Sequence, residues 1–294
     1  MYTQILVPLD ESKLAERVLP YAVLLARVFQ SRIELLRVME PLPPATKGDL
    51  GGVYASQFRA VMSRQAQVYL EGVATTLKED GLSASVVAQR GNPASCIVRT
   101  AEKKPDTLIT MASRGRSGIL RLVLGSVTDK VLRSTRSPLL LIRPCEQKEP
   151  NLEVKLESVV VPLDGSHLAE QVLPHIVAIA KALALTVILV RVTPADPFTP
   201  PSRHYAKRTE QDAQAVEYLH GVKQDLFKKG LDSVEPLLIH GNPADGILDT
   251  ARKTPNCLVA MATHGRSLLG RWMLGSVTCR VVHGSRIPIL VVRK

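Results

Sequence analysis

The feature that most constrains this 294-residue chain is an internal duplication. Residues 111–143 (MASRGRSGILRLVLGSVTDKVLRSTRSPLLLIR) match residues 261–293 (MATHGRSLLGRWMLGSVTCRVVHGSRIPILVVR) at sixteen of 33 positions without a gap. Two further segment pairs match in the same order, VPLD (7–10) with VPLD (161–164) and RGNPA (90–94) with HGNPA (240–244). Repeats of about 150 residues are duplicated domains and not solenoid units. We therefore predict one domain over residues 1–145, a second over residues 156–294, and a polar linker over residues 146–155.

Within each copy, short apolar runs alternate with segments of helical periodicity. In the first copy, the pattern predicts strands over Gln4–Leu9, Arg32–Val38, Ser85–Arg90, Thr107–Ala112 and Pro138–Ile142. It predicts helices over Ser12–Phe29, Gln57–Asp80, residues 93–103 and Ser126–Ser134, and a loop over residues 40–56. Strands that alternate with helices indicate an α/β fold, in which a parallel sheet is covered by helices on both faces.

The amino-acid composition of the chain argues against several classes of function. The net charge is +11, but basic residues are scattered and aromatic residues make up only 4%, which does not favour a specific nucleic-acid surface. No apolar run is long enough for a membrane span, and the N-terminal segment lacks the pattern of a signal peptide, so we expect a cytoplasmic protein. The four cysteines and seven histidines show no spacing typical of a metal site or a disulfide framework. We therefore predict no metal bound by protein ligands alone.

The loop after the predicted fourth strand is a candidate anion site. Gly115 is followed by nine residues and then by Gly125 and Ser126, where the next helix begins. A glycine lets the backbone approach a ligand closely, and the unpaired N–H groups at a helix start attract phosphate. The alternative is structural: Gly115 ends a strand and Ser126 caps a helix. The sequence is neither a Walker A loop nor a GxGxxG fingerprint.

An aspartate directly follows the predicted first strand in each copy. Asp10 and Asp164 each lie two residues after a proline, at the edge of the sheet where ligands bind in open α/β folds. A carboxylate in this place can accept hydrogen bonds from ribose hydroxyls. The alternative is that each aspartate only interacts with the dipole of the following helix.

These motifs together resemble the universal stress protein family in its tandem form. The resemblance rests on VPLD, GNPA, M-A-[ST]-x-G-R-S and LGSVT, each present twice, and on the closing SPLLLI and IPILVV. It implies two tandem Rossmann-like domains, similar to the adenine nucleotide alpha hydrolases, each with a five-stranded parallel sheet of order 3-2-1-4-5. It also implies that ATP, or ADP or AMP in its place, lies across strands 1 and 4, with any Mg²⁺ held by the phosphates.

The resemblance assigns a binding set to each copy. In the first copy it comprises Pro8, Leu9, Asp10, Val38, Met111, Ala112, Arg114, Gly115, Gly125, Ser126 and Val127. In the second copy it comprises Pro162, Leu163, Asp164, Val192, Met261, Ala262, His264, Gly265, Gly275, Ser276 and Val277. The nucleotide-binding branch of the family has G-x-x-G, nine residues and G-[ST], whereas both copies here have alanine at the first glycine (Ala112 and Ala262). Alanine resists the positive φ that glycine permits.

The sequence leaves several function classes to compare. The first is an ATP-binding stress or signalling protein whose nucleotide occupancy tunes its conformation or partner binding. Its expected ligand is an adenine nucleotide. We also expect the fifth strands of the two domains to pair within the chain, and a second copy of the chain is a possible partner in a homodimer. The second is an enzyme with weak ATP hydrolysis or phosphoryl transfer, for which no repeated catalytic base is evident. The third is an interaction module without nucleotide, supported by Ala112 and Ala262. Nucleic-acid binding rests on net charge alone.

Overall fold

The structure is a computed structural model, and it describes residues 1–41, 51–113, 124–143, 154–193, 201–263 and 275–293, of which residues 51–55 and 201–209 are described by their backbone only. The chain divides into two compact units, Met1–Val154 and Lys155–Lys294.

The first unit alternates strands and helices along the chain. Its strands are β1 (Gln4–Pro8), β2 (Arg32–Met39), β3 (Ala84–Arg90), β4 (Thr107–Ala112) and β5 (Leu139–Ile142). Its helices are α1 (Lys13–Glu16), α2 (Leu19–Phe29), α3 (Gly51–Glu79), α4 (Pro93–Ala101) and α5 (Ser126–Ser134).

The second unit repeats this order. Its strands are β6 (Ser158–Pro162), β7 (Thr186–Thr193), β8 (Val234–His240), β9 (Cys257–Thr263) and β10 (Ile289–Arg293). Its helices are α6 (Leu173–Leu183), α7 (Pro201–Lys228), α8 (Pro243–Lys253) and α9 (Ser276–Gly284), and a short 3-10 helix at Ala169–Val172 takes the place of α1.

Each unit builds a parallel sheet with its first strand in the middle. The order is β3-β2-β1-β4-β5 in the first unit and β8-β7-β6-β9-β10 in the second. The described pairings within each unit are parallel, for example Ile5 with Ile33 and Ile5 with Leu108. This confirms the predicted α/β fold with the 3-2-1-4-5 order.

The burial of each strand depends on its place in the sheet. Central β4 is buried along its whole length, whereas β3 at the edge is buried only at Ala84. Full burial of an isoleucine or leucine contributes about 1.5–3 kcal/mol, so the central strands supply much of the hydrophobic stabilisation. The largest fully buried side chains in the first unit are those of Ile5, Leu6, Ile33, Leu35, Leu36, Leu70, Leu108, Ile109, Leu132 and Leu139.

Two predicted elements differ from the structure. The single helix expected over Ser12–Phe29 is divided into α1 and α2, and Pro20 lies in the first turn of α2. A proline has no N–H to donate, so it is tolerated at a helix start and not in a helix interior. The predicted end of the loop at residue 56 is wrong, because α3 begins at Gly51 and not at Gln57. A long helix gains a hydrogen bond for each added residue and can extend through weak helix formers.

The predicted pairing of the fifth strands of the two domains concerns the relation between the units and stays a prediction. The boundaries 1–145, 146–155 and 156–294 likewise stay predictions. In the described part of the chain, the thiols of Cys96, Cys257 and Cys279 form no disulfide.

The Asn-Pro turn before α4 provides a direct test of the local structure. The Asn92 side-chain oxygen accepts a hydrogen bond from the Ser95 N–H at 3.2 Å, as expected for an N-cap. Replacing an asparagine cap by alanine costs about 1 kcal/mol. We therefore expect Asn92→Ala to lower the free energy of unfolding in urea by about that amount, and Asn92→Asp to keep most of it. Equal losses in the two variants would contradict the cap assignment.

Candidate functional site

The sheet of each unit opens between its first and fourth strands. The pairing of β1 with β4 ends at Leu6–Ile109, although β1 continues to Pro8 and β4 to Ala112. The second unit repeats this opening, since β6 and β9 pair no further than Val160–Val259. The first strand keeps its other neighbour to the end, with Pro8 opposite Leu36. A crevice therefore forms at the carboxyl edge where the strand order reverses, the place where open α/β sheets bind ligands.

One wall of each crevice carries the predicted aspartate. An Asp10 carboxylate oxygen accepts hydrogen bonds from the Ser12 N–H at 3.0 Å and from the Ser12 hydroxyl. The twin Asp164 accepts from the Ser166 N–H at 2.9 Å and from the Ser166 hydroxyl at 2.6 Å. Each serine in turn accepts from a backbone N–H three residues later, that of Ala15 or Ala169. The turn thus fixes the carboxylate while an ionised carboxylate can still accept further bonds.

Asp164 is held in its ionised form. Partial burial by itself would raise the pKa of Asp164, but the hydrogen bonds from the Ser166 hydroxyl and amide and the charge of Arg191 outweigh it and lower this pKa below its ordinary value. An ionised carboxylate accepts hydrogen bonds only, which suits hydroxyl donors on a ligand.

The start of α5 forms the opposite wall of the first crevice. Gly125 is the N-cap residue and has no side chain to satisfy the first-turn N–H groups, and the first helical bond runs from the Asp129 N–H to the Gly125 carbonyl at 2.8 Å. Ser126 is exposed at the first helical position. The N–H groups of such a turn have no partner inside the helix and favour an anion. Gly275 and Ser276 begin α9 in the same way, with the Cys279 N–H bonded to the Gly275 carbonyl at 2.8 Å.

Thr128, in the first turn of α5, does not offer its hydroxyl to the anion site. Its side chain is buried, and the hydroxyl donates to the Ala112 carbonyl at 3.1 Å. Thr278 makes the equivalent contact with the Ala262 carbonyl at 3.5 Å. These threonines therefore join the helix start to the end of the fourth strand, which positions the N–H groups of the first turn.

Ala112 and Ala262 fit the positions where the family pattern has glycine. Both lie within strands, where Ala112 pairs with Ile142 and Ala262 with Val292. Neither is among the described non-glycine residues with positive φ, which are Glu11, Gln30, Ala184 and Asn256. The local backbone is extended, so an alanine methyl group introduces no strain there.

The other predicted residues line the strand ends in different ways. Pro8 and Pro162 end the first strands, and Val38 and Val192 lie next to the last residues of the second strands. Leu9 and Leu163 are buried, and their N–H groups donate to the Leu36 and Val190 carbonyls at 2.9 and 2.8 Å. Met111 and Met261 are buried in the fourth strands, and Val127 and Val277 are partly exposed in the first turns of α5 and α9. Arg114, Gly115, His264 and Gly265 lie outside the described residues.

A tyrosine–glutamate pair beside each crevice was not predicted from the sequence. The Tyr69 hydroxyl donates to Glu16 at 2.7 Å, and the Tyr218 hydroxyl donates to Glu170 at 2.9 Å. Burial, followed by the bond to the glutamate, raises the pKa of each tyrosine far above its ordinary value. The signal was present as a YLxGV pattern that recurs in both copies, at Tyr69 and Tyr218.

The two crevices differ in charge at the turn after the first strand. Glu11 adopts a φ of 68° and forms an ion pair with Arg37 at 3.1 Å. Its counterpart Gly165 has a φ of 81°, which glycine adopts without strain, and the equivalent Arg191 lies over the Tyr218 ring at 5.5 Å. A Cβ at position 165 would lie 2.5 Å from an Arg191 nitrogen, so the guanidinium occupies the space that a side chain would need.

The turn around Asp164 leads to a pH prediction. Because the hydrogen bonds from Ser166 are the largest of the effects that lower the Asp164 pKa, Ser166→Ala should raise this pKa toward the ordinary value for an aspartate. Arg191→Gln should raise it by less. The stabilisation from ionised Asp164 is present above the ordinary value and is lost as the pH falls through the lowered one. Carboxyl ¹³C titration by NMR measures the shift, and an Asp164 titration unchanged by Ser166→Ala would contradict the assignment.

Comparisons with known proteins agree with this architecture. The universal stress protein family matches residues 1–143 and again residues 155–293. The chain is 30% identical over 148 residues to the universal stress protein YxiE of Bacillus subtilis, covering 49% of this chain and all of that protein. It is 23% identical over 296 residues to a universal stress protein of Mycolicibacterium smegmatis, covering 98% and 96% of the two chains.

A solved structure extends the comparison to the fold. The crystal structure of a universal stress protein from Archaeoglobus fulgidus superposes with a TM-score of 0.75 at 22% identity, covering 100% of this chain and 99% of that one. With a family match over both halves and a shared fold along its whole length, the chain belongs to the universal stress protein family, as a tandem of two domains of that family.

Proposed function

We propose that this protein binds an adenine nucleotide, ATP or a product of it, in the crevice of each domain, and that nucleotide occupancy tunes its conformation or its binding to a partner in a stress response. The observation that carries the proposal is the opening between the first and fourth strands. One wall offers a carboxylate fixed by a serine, and the other offers the N–H groups at a helix start. A nucleotide presents hydroxyls and phosphates at its two ends, which are the groups that these walls can bind.

Residues at the crevice fit this ligand in both copies. The Ser113 and Thr263 hydroxyls are buried at the ends of the fourth strands, and neither has a hydrogen-bond partner among the described residues. Buried polar groups are nearly always satisfied, so two equivalent orphan hydroxyls beside the anion site support a polar ligand there. If a divalent metal accompanies the nucleotide, the phosphates hold it.

Binding without demanding chemistry is favoured over catalysis. Asp10 and Asp164 recur, but each follows the first strand and is bonded to the serine two residues later, a place that suits ribose hydroxyls. A ligand that binds one conformation better than another shifts the population of conformations that a partner meets. Slow hydrolysis or phosphoryl transfer is the second candidate function, and the nucleotide would turn over in that case.

The assembly and location follow from the same proposal. The fifth strands, LLLI and ILVV, are apolar sheet edges, and pairing them between the two domains would give a pseudo-dimer in which both of these edges are covered. A homodimer of the whole chain is the alternative partner. In the described part of the chain, no helix combines the length and apolar character needed to cross a bilayer. We propose that the protein acts in the cytoplasm.

Small molecules released from the purified protein test the proposal directly. We expect mass spectrometry to find ATP or ADP, up to two per chain. Ser126→Asp with Ser276→Asp places a carboxylate at both anion sites, and repulsion should abolish recovery and binding on titration. Ser134→Asp, at the far end of α5, is the matched control that should leave binding intact. Wild-type protein that neither releases nor binds adenine nucleotide would contradict the proposal.

The glycine motif after the fourth strand differs in charge between the two copies, and this difference predicts that the two sites bind ATP with unequal affinity. Arg114 is always charged and can bind phosphate with two donors, whereas the equivalent His264 is near neutral at pH 7. We expect tighter triphosphate binding in the first domain, so Gly115→Asp should remove the stronger phase of an ATP titration and Gly265→Asp the weaker one. Equal losses from the two variants would contradict this order.

Formation of ADP distinguishes the two candidate functions. Bound ATP that stays intact over hours supports a binding role, because no catalytic base is assigned at the phosphates. Steady product formation that disappears in the Ser126→Ala, Ser276→Ala double variant would instead establish an enzyme.

A further inference from the structure

An arginine near the end of the second strand lies beside the crevice in each domain, but only the first domain neutralises it. Arg37 and Arg191 are equivalent residues of β2 and β7, and each follows the residue that pairs with the last residue of the first strand. The Glu11 carboxylate lies 3.1 Å from the Arg37 guanidinium, whereas Gly165 takes the place of Glu11 in the second domain and has no side chain. The first domain therefore sets two carboxylates, an aspartate and a glutamate, against this arginine, and the second domain sets only the aspartate.

The Arg191 guanidinium is half-buried, and its charge is not matched by a contacting anion. Its central carbon lies 5.5 Å from the centre of the Tyr218 ring, a cation–π distance. Within the part of the chain that the structure describes, no residue forms an ion pair or a side-chain hydrogen bond with this guanidinium. A guanidinium is permanently charged and has five N–H donors, and charges that are withdrawn from water are normally paired. The donors of Arg191 are therefore available to an anion from solution.

The Arg191 guanidinium lies against the turn that carries the fixed aspartate. A Cβ at Gly165 would be 2.5 Å from an Arg191 nitrogen, so this nitrogen lies directly beside the residue that follows Asp164. The positive charge of Arg191 also contributes to the lowered pKa of Asp164. Both Asp164 and Gly165 are exposed, so a ligand can reach the turn from solvent. The second domain thus presents a carboxylate acceptor and a guanidinium donor next to each other at the carboxyl edge of the sheet.

This pair of groups matches a phosphorylated ribose. In α/β folds that bind dinucleotides, an acidic residue accepts a hydrogen bond from a ribose hydroxyl, and a nearby arginine accommodates a phosphate on the ribose. A ribose with one phosphorylated hydroxyl keeps its other hydroxyl for Asp164 and brings the phosphate to Arg191. Arginine binds phosphate with two parallel hydrogen bonds. In the first domain Glu11 is already paired with Arg37 and repels a further anion, and a repulsive group of this kind separates two ligands that otherwise bind alike.

We propose that the second domain binds adenine nucleotides that carry a phosphate on a ribose hydroxyl in addition to the 5′ phosphate. Arg191 determines this preference, and Glu11 excludes the same ligands from the first domain. The inference rests on the nucleotide site proposed above and names the ligand class of its second copy. The ribose phosphate is at the 2′ or the 3′ oxygen, and the experiment tests the two positions separately.

Titration calorimetry on the full chain tests the inference with three ligands, adenosine 5′-monophosphate, adenosine 2′,5′-bisphosphate and adenosine 3′,5′-bisphosphate. Ser126→Asp blocks the first crevice and Ser276→Asp the second, so each variant reports on one domain. In the second domain we expect one bisphosphate to bind about 10-fold tighter than the monophosphate, as a hydrogen bond between charged groups allows. In the first domain we expect both bisphosphates to bind more weakly than the monophosphate. Adenosine 5′-diphosphate carries its extra phosphate at the other end and should not reproduce this difference.

Exchange of the two turn residues should transfer the preference. Gly165→Glu should neutralise Arg191 and remove the preference from the second domain. Glu11 itself has a φ of 68°, so a glutamate is compatible with this turn. Glu11→Gly should create the preference in the first domain. Arg191→Gln should remove it, and Arg191→Lys should keep part of it, because lysine retains the charge without the two-donor geometry.

The readout is the ratio of bisphosphate to monophosphate affinity, because a variant that only disturbs the fold weakens both ligands alike. Arg252→Gln removes an arginine in the last turn of α8, and this matched control should leave the ratio unchanged. A ratio below one in the second domain, with the monophosphate still bound, would overturn the ligand class and leave the nucleotide site standing. A preference that survives Arg191→Gln would overturn the role of Arg191. Absence of all adenine nucleotide binding in the wild type would overturn both proposals.

Discussion

The architecture of each domain depends on the backbone hydrogen bonds between its first strand and the two neighbouring strands. β1 is bonded to β2 along its full length but to β4 only as far as Leu6–Ile109. Because β1 pairs with β4 over fewer residues than with β2, the sheet is continuous at its centre and opens at one place on its carboxyl edge. The buried strand, the crevice, the fixed aspartate beyond Pro8 and the anion site at α5 all derive their positions from it.

The two duplicated domains have the same fold but differ in the charges of several equivalent side chains. The Arg37–Glu11 ion pair of the first domain has no counterpart in the second, where Gly165 leaves Arg191 stacked on Tyr218. The Asp129–Arg133 ion pair of α5 corresponds to a Cys279–His283 contact in α9. The strand order is the same in the two domains, and the first strand pairs with each of its neighbours over the same number of residues, so the side chains at the carboxyl edge could diverge without changing the fold. We therefore expect the domains to differ in ligand preference and not in architecture.

Much of the fold could be predicted, because the signals are local. The bounds of β4 follow from a run of apolar residues, the start of α5 from Gly125, and the cap of α4 from Asn92. The structure agrees with all three. The break before α2 was missed because periodicity continues through it, and only the missing N–H of Pro20 marks it. The start of α3 at Gly51 was missed because a helix can extend through residues that rarely begin one.

The sequence by itself determined the duplication, the strand and helix order, and the polar residues that follow each strand. Those properties depend on neighbours along the chain. Only the tertiary structure decided that Thr128 bonds to a carbonyl, that Ala112 needs no positive φ, and that Tyr69 meets Glu16. It also brought Thr193, Asp212 and His240 together across 19 to 47 residues of chain. Hydrogen bonds and ion pairs form over a few ångströms of space, and sequence separation does not specify which distant side chains come that close.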